Sequence, residues 1–551
     1  MKLKRTLLSP IARLAGISAF REYKNFLKAI KNTPEVQQAL LKRLINASTE
    51  SKFGQDHHFK SINSYRDFTS AVPIGNYQTH LPYIRDVFAG DISALFSQGT
   101  KICMFAITSG TTGEPKHIPI TKQFIRDYRR GWNIFGVKLL KDHPDGWLRE
   151  IVTVNSSASE YFSPTGVPCG AISGLLAENQ KWIVRKMYPV PKVINQITNY
   201  DQKYYAILRA SIAHDIGIFV TANPSTAVKL AQVGRDNAER IIRDVYDGTI
   251  TFGEDIPDEI IRRLKFSPNR AAAKRLEEVL NRHGQLLPKY FWKLSCIGLW
   301  TGGTVGLYLP LVKKYYGDVP IRDIGLLASE GRFSIPLDDS TPSGVAEITS
   351  NFFEFIPAEQ IESASPDVLL AHEVEVGKEY FLVFSNWSGL WRYNIDDRVR
   401  ITGRIGNCPV FEFLSKGLHT CSITGEKITE HQVVQAMSHA AASMGIEVQR
   451  FILQGHFADP PYYQLNIEPV DRIDMIELAQ RLDNALRELN IEYDSKRASN
   501  RLGTIRLNIL SPGALIENES QQIRQRHGRA EQYKHKYLMT EIINDLVSSE
   551  K

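Results

Sequence analysis

Apolar residues recur at helical intervals from Phe20 to about Ser51, where Leu27, Ile30, Val36, Leu40, Leu41, Leu44 and Ile45 fall among charged positions, so the spacing predicts a packing helix with a polar outer face. Farther along, the period shortens. Residues 102–107 and 117–120 read as two strands joined by a turn, and Thr121 is placed to cap a helix through Phe124, Tyr128, Trp132 and Phe135 whose aromatic face belongs to the core. Residues 151–154 and 216–222 are further buried-strand candidates, the second followed by a helix that begins near Ser225. Strands that alternate with helices predict an α/β fold: a large N-terminal domain with mostly parallel sheets flanked by helices. Residues 380–385 and 398–402 read as strands flanking the segment 389–397.

Composition shifts near Ser415-Lys416-Gly417, which predicts domains over 1–416 and 417–551. Beyond the shift the expected order is helix 430–444, strand 449–453, strand 463–467, helix 475–489 and strand 505–510, a smaller C-terminal α+β lid of the split βαβ kind. A chain of 551 residues is too long for one hydrophobic core, so the division is expected on size alone.

Charge alters this picture little. Lys and Arg number 67 against 60 Asp and Glu, a net +7 that is not gathered into a run, so neither nucleic acid nor a membrane surface is an expected partner. Cys103, Cys169, Cys296, Cys408 and Cys421 are odd in number, dispersed and never in a Cys-x-x-Cys pair, which argues against zinc and disulfide frameworks and fits a reducing, cytoplasmic setting. Pro10 and Arg13 interrupt the N-terminal apolar stretch before it reaches the length of a secretion signal, and no run is long enough to span a membrane.

The candidate chemistry centres on Thr108-Ser109-Gly110-Thr111-Thr112-Gly113-Glu114-Pro115-Lys116. Its glycines let backbone N–H groups turn inward, while four hydroxyls and a lysine supply donors and positive charge for a polyphosphate. Composition alone also fits an ordinary Gly/Thr hairpin loop. There is no Walker loop, no Gly-x-Gly-x-x-Gly, no Gly-x-Ser-x-Gly elbow and no His-Glu-x-x-His, which excludes those nucleotide, dinucleotide, esterase and metallopeptidase sites. Two later loops follow short apolar runs: Trp300-Thr301-Gly302-Gly303-Thr304, and the end of Ile324-Gly325-Leu326-Leu327-Ala328-Ser329-Glu330-Gly331, whose Glu330 stands where a strand should end.

Taken with Ser51-Lys52-Phe53-Gly54, Val72-Pro73-Ile74, the segments 243–248 and 351–357, Thr424-Gly425-Glu426-Lys427-Ile428-Thr429-Glu430 and Glu531-Gln532-Tyr533-Lys534, these stretches resemble the auxin-responsive Gretchen-Hagen-three family of acyl acid amido synthetases, adenylate-forming enzymes, with this chain read as a bacterial-type member. The likeness runs from about Phe26 to Leu538 in the family's order. It implies ATP and Mg²⁺ as cofactors. It implies that Ser109 to Lys116 hold the β- and γ-phosphates, that Ser329 and Glu330 end the nucleotide motif Tyr-x-Ser-Ser-Glu with the Glu associated with magnesium, and that Tyr393 and Asp397 belong to the ribose motif Tyr-Arg-x-Gly-Asp. Leu326 and Ala328 depart from the second motif, and Asn394 and Asp396 from the third. Lys427 and Lys534 match lid lysines that meet the phosphates on closure, and Thr108, Thr301 and Gly302 complete the candidate nucleotide set.

The chemistry calls for the same residue types. A carboxylate is a poor electrophile, so amide formation needs its oxygen converted to a leaving group, work for Lys, Mg²⁺ and backbone N–H groups rather than for a side-chain nucleophile. The expected substrates are ATP, a small carboxylic acid and an amine, taken to be an amino acid; the expected assembly is a monomer or weak homodimer. Two other readings stay open: an acyl-CoA ligase passing the acyl group to a thiol, and a catalytically impaired relative that binds ligand. Tyr161, Phe162 and Trp182 are expected in the core rather than in the wall of an acyl pocket.

Overall fold

The computed structural model describes the chain apart from residues 1, 109–115, 179–181, 198, 252–255, 303–307, 418–419, 422, 424–425, 427, 459, 471–472, 499–501, 526–534 and 545–551. It divides into two compact units, one made of residues 1–302 and 311–413, the other of 303–310 and 414–551.

In the first unit the N-terminal helical pattern becomes two helices, Lys2–Ala29 and Thr33–Ser48, because Pro34 fits the opening turn of a new helix and not the interior of an old one. Strands Glu150–Thr153, Ile216–Val220, Cys296–Gly298 and Ile321–Arg322 form a four-stranded sheet that is parallel throughout. Helices such as Tyr200–Ser211 and Pro224–Asp236 supply its crossovers. A second, mixed sheet orders Lys116–Thr121, Ile102–Thr108, Pro168–Gly170 and Tyr161–Phe162.

The largest sheet corrects the expectation of mostly parallel pairing within this α/β unit. Its seven strands run Ser334–Ile335, Gly344–Ala346, Cys408–Lys416, Tyr393–Ile405, Glu379–Asn386, Asn351–Pro357 and Leu369–Leu370, and Asn351–Pro357, Glu379–Asn386 and Tyr393–Ile405 pair antiparallel. Short links such as 387–392 and 406–407 leave no length for crossover helices, so successive strands must reverse. The strand expected over 398–402 begins earlier, at Tyr393.

Thr121 caps the helix Lys122–Asp142 by accepting from Phe124 N at 3.1 Å, and Phe124, Tyr128 and Phe135 are buried as the pattern predicts. That helix shares one core with Phe105, Ile118, Phe333, Phe353, Phe384 and Trp391. Tyr161 and Phe162 are not core: they are 38% and 63% exposed, on a two-residue edge strand too short to be covered. The side chain of Trp182 lies outside the described residues.

The second unit has its own core, built by helices Glu430–Ser443 and Met475–Leu489 on a four-stranded sheet ordered Arg506–Ile509, Tyr462–Ile467, Phe451–Phe457 and Leu538–Asn544. The last strand, absent from the sequence reading, pairs parallel to Phe451–Phe457. Among the described residues no helix is long and apolar enough to cross a membrane.

Candidate active site

Thr108 and Lys116 are opposite partners at the open end of the hairpin Ile102–Thr108 and Lys116–Thr121, so the chain leaves and re-enters the sheet at adjacent points. Ser109, Gly110, Thr111, Thr112 and Gly113 lie outside the described residues, as do Lys427 and Lys534. Lys116 Nζ stands 5.4 Å from the centre of the Tyr77 ring, and the Tyr77 hydroxyl accepts from His117 N at 2.9 Å. Tyr77 opens a helix capped by Asn76, whose carboxamide oxygen accepts from Gln78 N. Just before it, Gly75 N donates to Arg392 O at 3.0 Å and Gly75 O accepts from Asn394 N at 2.7 Å. The segment at 73–77 thus joins the lysine end of the hairpin to the third motif.

That motif starts the strand Tyr393–Ile405. Tyr393, Ile395 and Asp397 are buried, whereas Asp396 is exposed, so the alternation turns Asp397 inward with Tyr393. Burial, then Glu330, Tyr77, Asp397 and Asp396, push the Tyr393 hydroxyl far above the ordinary tyrosine range, which puts carboxylates from two motifs around one ring. Upstream, Trp391 N donates to His80 Nε2 at 3.0 Å. His80 Nδ1 therefore carries the proton and donates to Asn76 O at 2.9 Å, and burial lowers the pKa of this neutral, structural imidazole.

Ser329 and Glu330 form the two-residue turn between the paired strands Leu327–Ala328 and Gly331–Arg332. Glu330 is 3% exposed, and its backbone oxygen accepts from Asn386 Nδ2 at 2.8 Å; the same amide reaches Asn351 Oδ1 at 3.0 Å. Asn351, first residue of the segment 351–357, also donates to Arg332 O at 2.8 Å, clamping the hairpin from behind. Thr301 and Gly302 are tied to the same segment through Asp323. Its carboxylate accepts from Thr301 N at 2.6 Å, Thr301 Oγ1 at 2.9 Å and Gly325 N at 2.6 Å, while burial pushes it up to about 6. Gly325 has φ +89°, and a Cβ there would come within 2.3 Å of Ser334 O.

Tyr77, Glu330 and Asp397 therefore stand about the buried Tyr393, Lys116 lies over the Tyr77 ring, and Asp323 anchors Thr301 and Gly302 ahead of the strand that leads into Glu330. Tyr77, Asp323, Asn351 and Asn386 are supports that the sequence reading missed. Asp323 follows the short strand Ile321–Arg322 and Asn351 opens the segment 351–357, but the support each gives depends on partners far along the chain, as does that of Asn386. A second polar cluster, His143, Cys296 and Asp339, has three potential ligand atoms within 4.8 Å of one another. Its Asp339 is already engaged by Arg322 and His143, each at 2.7 Å, and this reads as an ion-pair network.

Comparison with known proteins agrees across both units. The GH3 family N-terminal domain matches residues 22–321, the central domain 344–416 and the C-terminal domain 431–542. A jasmonoyl–L-amino acid synthetase of Nicotiana attenuata is 24% identical over 515 residues, covering 88% of this chain and 87% of its own. An indole-3-acetic acid-amido synthetase of Arabidopsis thaliana is 21% identical over 547 residues, covering 94% and 91%. The solved GH3.15 acyl acid amido synthetase shares the fold with a TM-score of 0.81 over 94% of both chains, at 19% identity.

Proposed function

The chain belongs to the GH3 family, and from that premise we propose that it is an ATP-dependent, AMP-forming ligase that activates a small carboxylic acid and transfers its acyl group to the amine of an amino acid. In the first step a carboxylate oxygen forms a bond to the α-phosphorus of ATP while the bond to the bridging oxygen breaks and pyrophosphate leaves. In the second the amine nitrogen bonds the acyl carbon, the bond to the AMP oxygen breaks, and the nitrogen loses a proton.

The residues described fit a nucleotide. Lys116 offers a cation at the end of the candidate phosphate turn, and Asp397, 5% exposed beside Tyr393, offers a charged acceptor for ribose hydroxyls. Glu330 would hold Mg²⁺, which when bound adds positive charge against the phosphates. Thr301 and Gly302, locked by Asp323, present backbone at the same strand end. Lys427 and Lys534 are proposed to reach the phosphates from the C-terminal unit, and the five dispersed cysteines support a cytoplasmic setting.

The observation that supports this most strongly is that Glu330 of one motif meets Tyr393 and Asp397 of another beside Tyr77, whose ring lies 5.4 Å from Lys116 Nζ. ATP–pyrophosphate exchange by the full chain against a panel of carboxylic acids tests it, followed by addition of amino acids or coenzyme A. Exchange with at least one acid and an amide product is the expected result. A thioester instead of an amide would make it an acyl-CoA ligase, and background exchange with every acid would leave a ligand-binding relative.

A further inference from the structure

The first turn of the helix Tyr77–Ala89 carries two side chains that reach different parts of the candidate site. Tyr77 and His80 stand three residues apart, so both lie on one side of the helix. Tyr77 meets the phosphate hairpin: its hydroxyl accepts from His117 N at 2.9 Å, and Lys116 Nζ lies 5.4 Å from its ring. His80 meets the third motif. Its imidazole is 1% exposed, stacked 5.7 Å from the Phe53 ring and set edgewise 5.6 Å from the ring of Tyr393.

Pairing of the motif strand with Glu379–Asn386 starts at Tyr393, so the N–H of the buried Trp391, two residues earlier, must find its acceptor elsewhere. His80 Nε2 is that acceptor, at 3.0 Å, while Nδ1 donates to Asn76 O at 2.9 Å. The imidazole thus spans from the helix cap to the turn that leads into the motif. Gly75 makes the neighbouring ties: its N donates to Arg392 O at 3.0 Å and its O accepts from Asn394 N at 2.7 Å. These are backbone bonds and do not depend on the side chain at 80. Between the ties Arg392 holds φ +41°, a conformation kept by its surroundings rather than by its own preference.

We propose that His80 is a positioning residue of the nucleotide site: through Trp391 N it fixes the turn that presents Tyr393 and Asp397, and with Tyr77 it holds that motif in register with the lysine end of the phosphate hairpin. This rests on the ligase reading above. His80 acts through the backbone of Trp391 and not on the reacting atoms. Its loss leaves the segment braced by the Gly75 bonds and loosens the one turn that carries the ribose acceptor, so the effect falls on ATP affinity rather than on turnover.

His80→Gln and His80→Asn separate this role from packing alone. Both introduce uncharged amides, but only the longer one carries an oxygen to the position of Nε2; the shorter keeps a donor for Asn76 O and leaves Trp391 N without its acceptor. In pyrophosphate exchange by the full chain, His80→Asn should raise the apparent KM for ATP roughly five- to fiftyfold while kcat changes less than about threefold, and His80→Gln should recover most of that loss. Added to Asp397→Ala, His80→Asn should raise KM by less than about twofold more, because both changes act on one contact. An unchanged KM for ATP in His80→Asn, an equal loss in both variants, a loss shared by kcat and the KM for the acid, or full additivity with Asp397→Ala overturns the assignment and leaves His80 a brace of the fold. Should neither variant fold, hydrogen exchange on the wild-type chain decides: ATP should slow exchange over 75–81 and 389–397 together, and protection of 389–397 alone, or of neither, overturns it. If no acid supports exchange the ligase reading fails, and equilibrium dialysis of ATP carries the same comparison. Affinity that falls from wild type through His80→Gln to His80→Asn keeps the proposal; equal constants, or no ATP bound by the wild type, overturn it.

Discussion

Arg392 sits against Glu354, Nη2 2.9 Å from Oε1 with both side chains out of solvent, and Arg392 itself holds a left-handed backbone at φ +41°. Left-handed geometry disfavours a residue with a Cβ by roughly 1–2 kcal/mol, so the conformation persists only because neighbours over-determine it. Here Tyr65 Oη donates to Glu354 at 2.8 Å, Arg392 Nη1 to Val72 O at 2.9 Å and Arg392 N to Ser385 Oγ at 2.8 Å. The turn they fix delivers Tyr393 to the site. Glu354→Leu should destabilise the N-terminal unit by about 3–5 kcal/mol, because it strands a buried cation. Pairing it with Arg392→Met should recover much of that, as a double-mutant cycle in urea would show.

Asp396 has φ +67° and its amide donates to Asn394 Oδ1 at 2.8 Å. The family motif that this stretch resembles has Gly at that position, and Asp is among the residues that tolerate the left-handed region. Asp396→Gly should change stability by less than about 1 kcal/mol, whereas Asp396→Val should cost about 1–3 kcal/mol. Urea midpoints check both.

Asp397→Ala should weaken ATP binding by about 1.5–3 kcal/mol, the loss of a charged acceptor for ribose hydroxyls. Asp396→Ala, on the exposed side of the same strand, should leave the apparent ATP constant unchanged. The reverse result would shift the motif by one residue.

Lys116→Ala should lower pyrophosphate exchange by about one to three orders of magnitude with little change in melting temperature. Full exchange activity in the variant would remove Lys116 from the site. For Lys427→Ala and Lys534→Ala, exchange and amine attack on supplied acyl-adenylate should be affected unequally if the proposed lid role holds, since a lid that closed would serve the two steps differently. Wild-type rates in both steps for both variants would refute a lid role.

Asp323 gives the chain a pH dependence of stability. Folded, it holds a proton up to about 6, against 3.8 for the ordinary carboxyl, so between those values the folded state binds more protons than the unfolded one. Its contribution is therefore most favourable below about pH 4, declines as pH rises through the window and levels off above the folded value, by about 1–3 kcal/mol in all. The difference in urea stability between wild type and Asp323→Asn, followed from pH 4.5 to 7.5, should carry that slope with that sign.

Local chemistry made much of this protein legible in its sequence. The hairpin at 102–121, the Thr121 cap and the helix Met475–Leu489 follow from period, capping and turn residues, which act over a few positions. Lys116, Glu330, Tyr393 and Asp397 could be named because the stretches that hold them resemble the family's motifs in the family's order. Strand direction was decided only by the fold: an apolar run does not say whether its partner lies parallel or antiparallel, so the seven-stranded sheet and the pairing of Leu538–Asn544 with Phe451–Phe457 were not readable from their own residues. Tyr161 and Phe162 look like core by composition yet lie exposed on a two-residue edge strand. Arg332 looks like a surface residue by type and is buried because Trp132 and Phe135, from a helix 200 residues earlier by number, close over it. Burial is a property of what arrives from elsewhere in the chain, and it is burial that sets Asp323, Arg332 and Glu354 apart from ordinary surface charges.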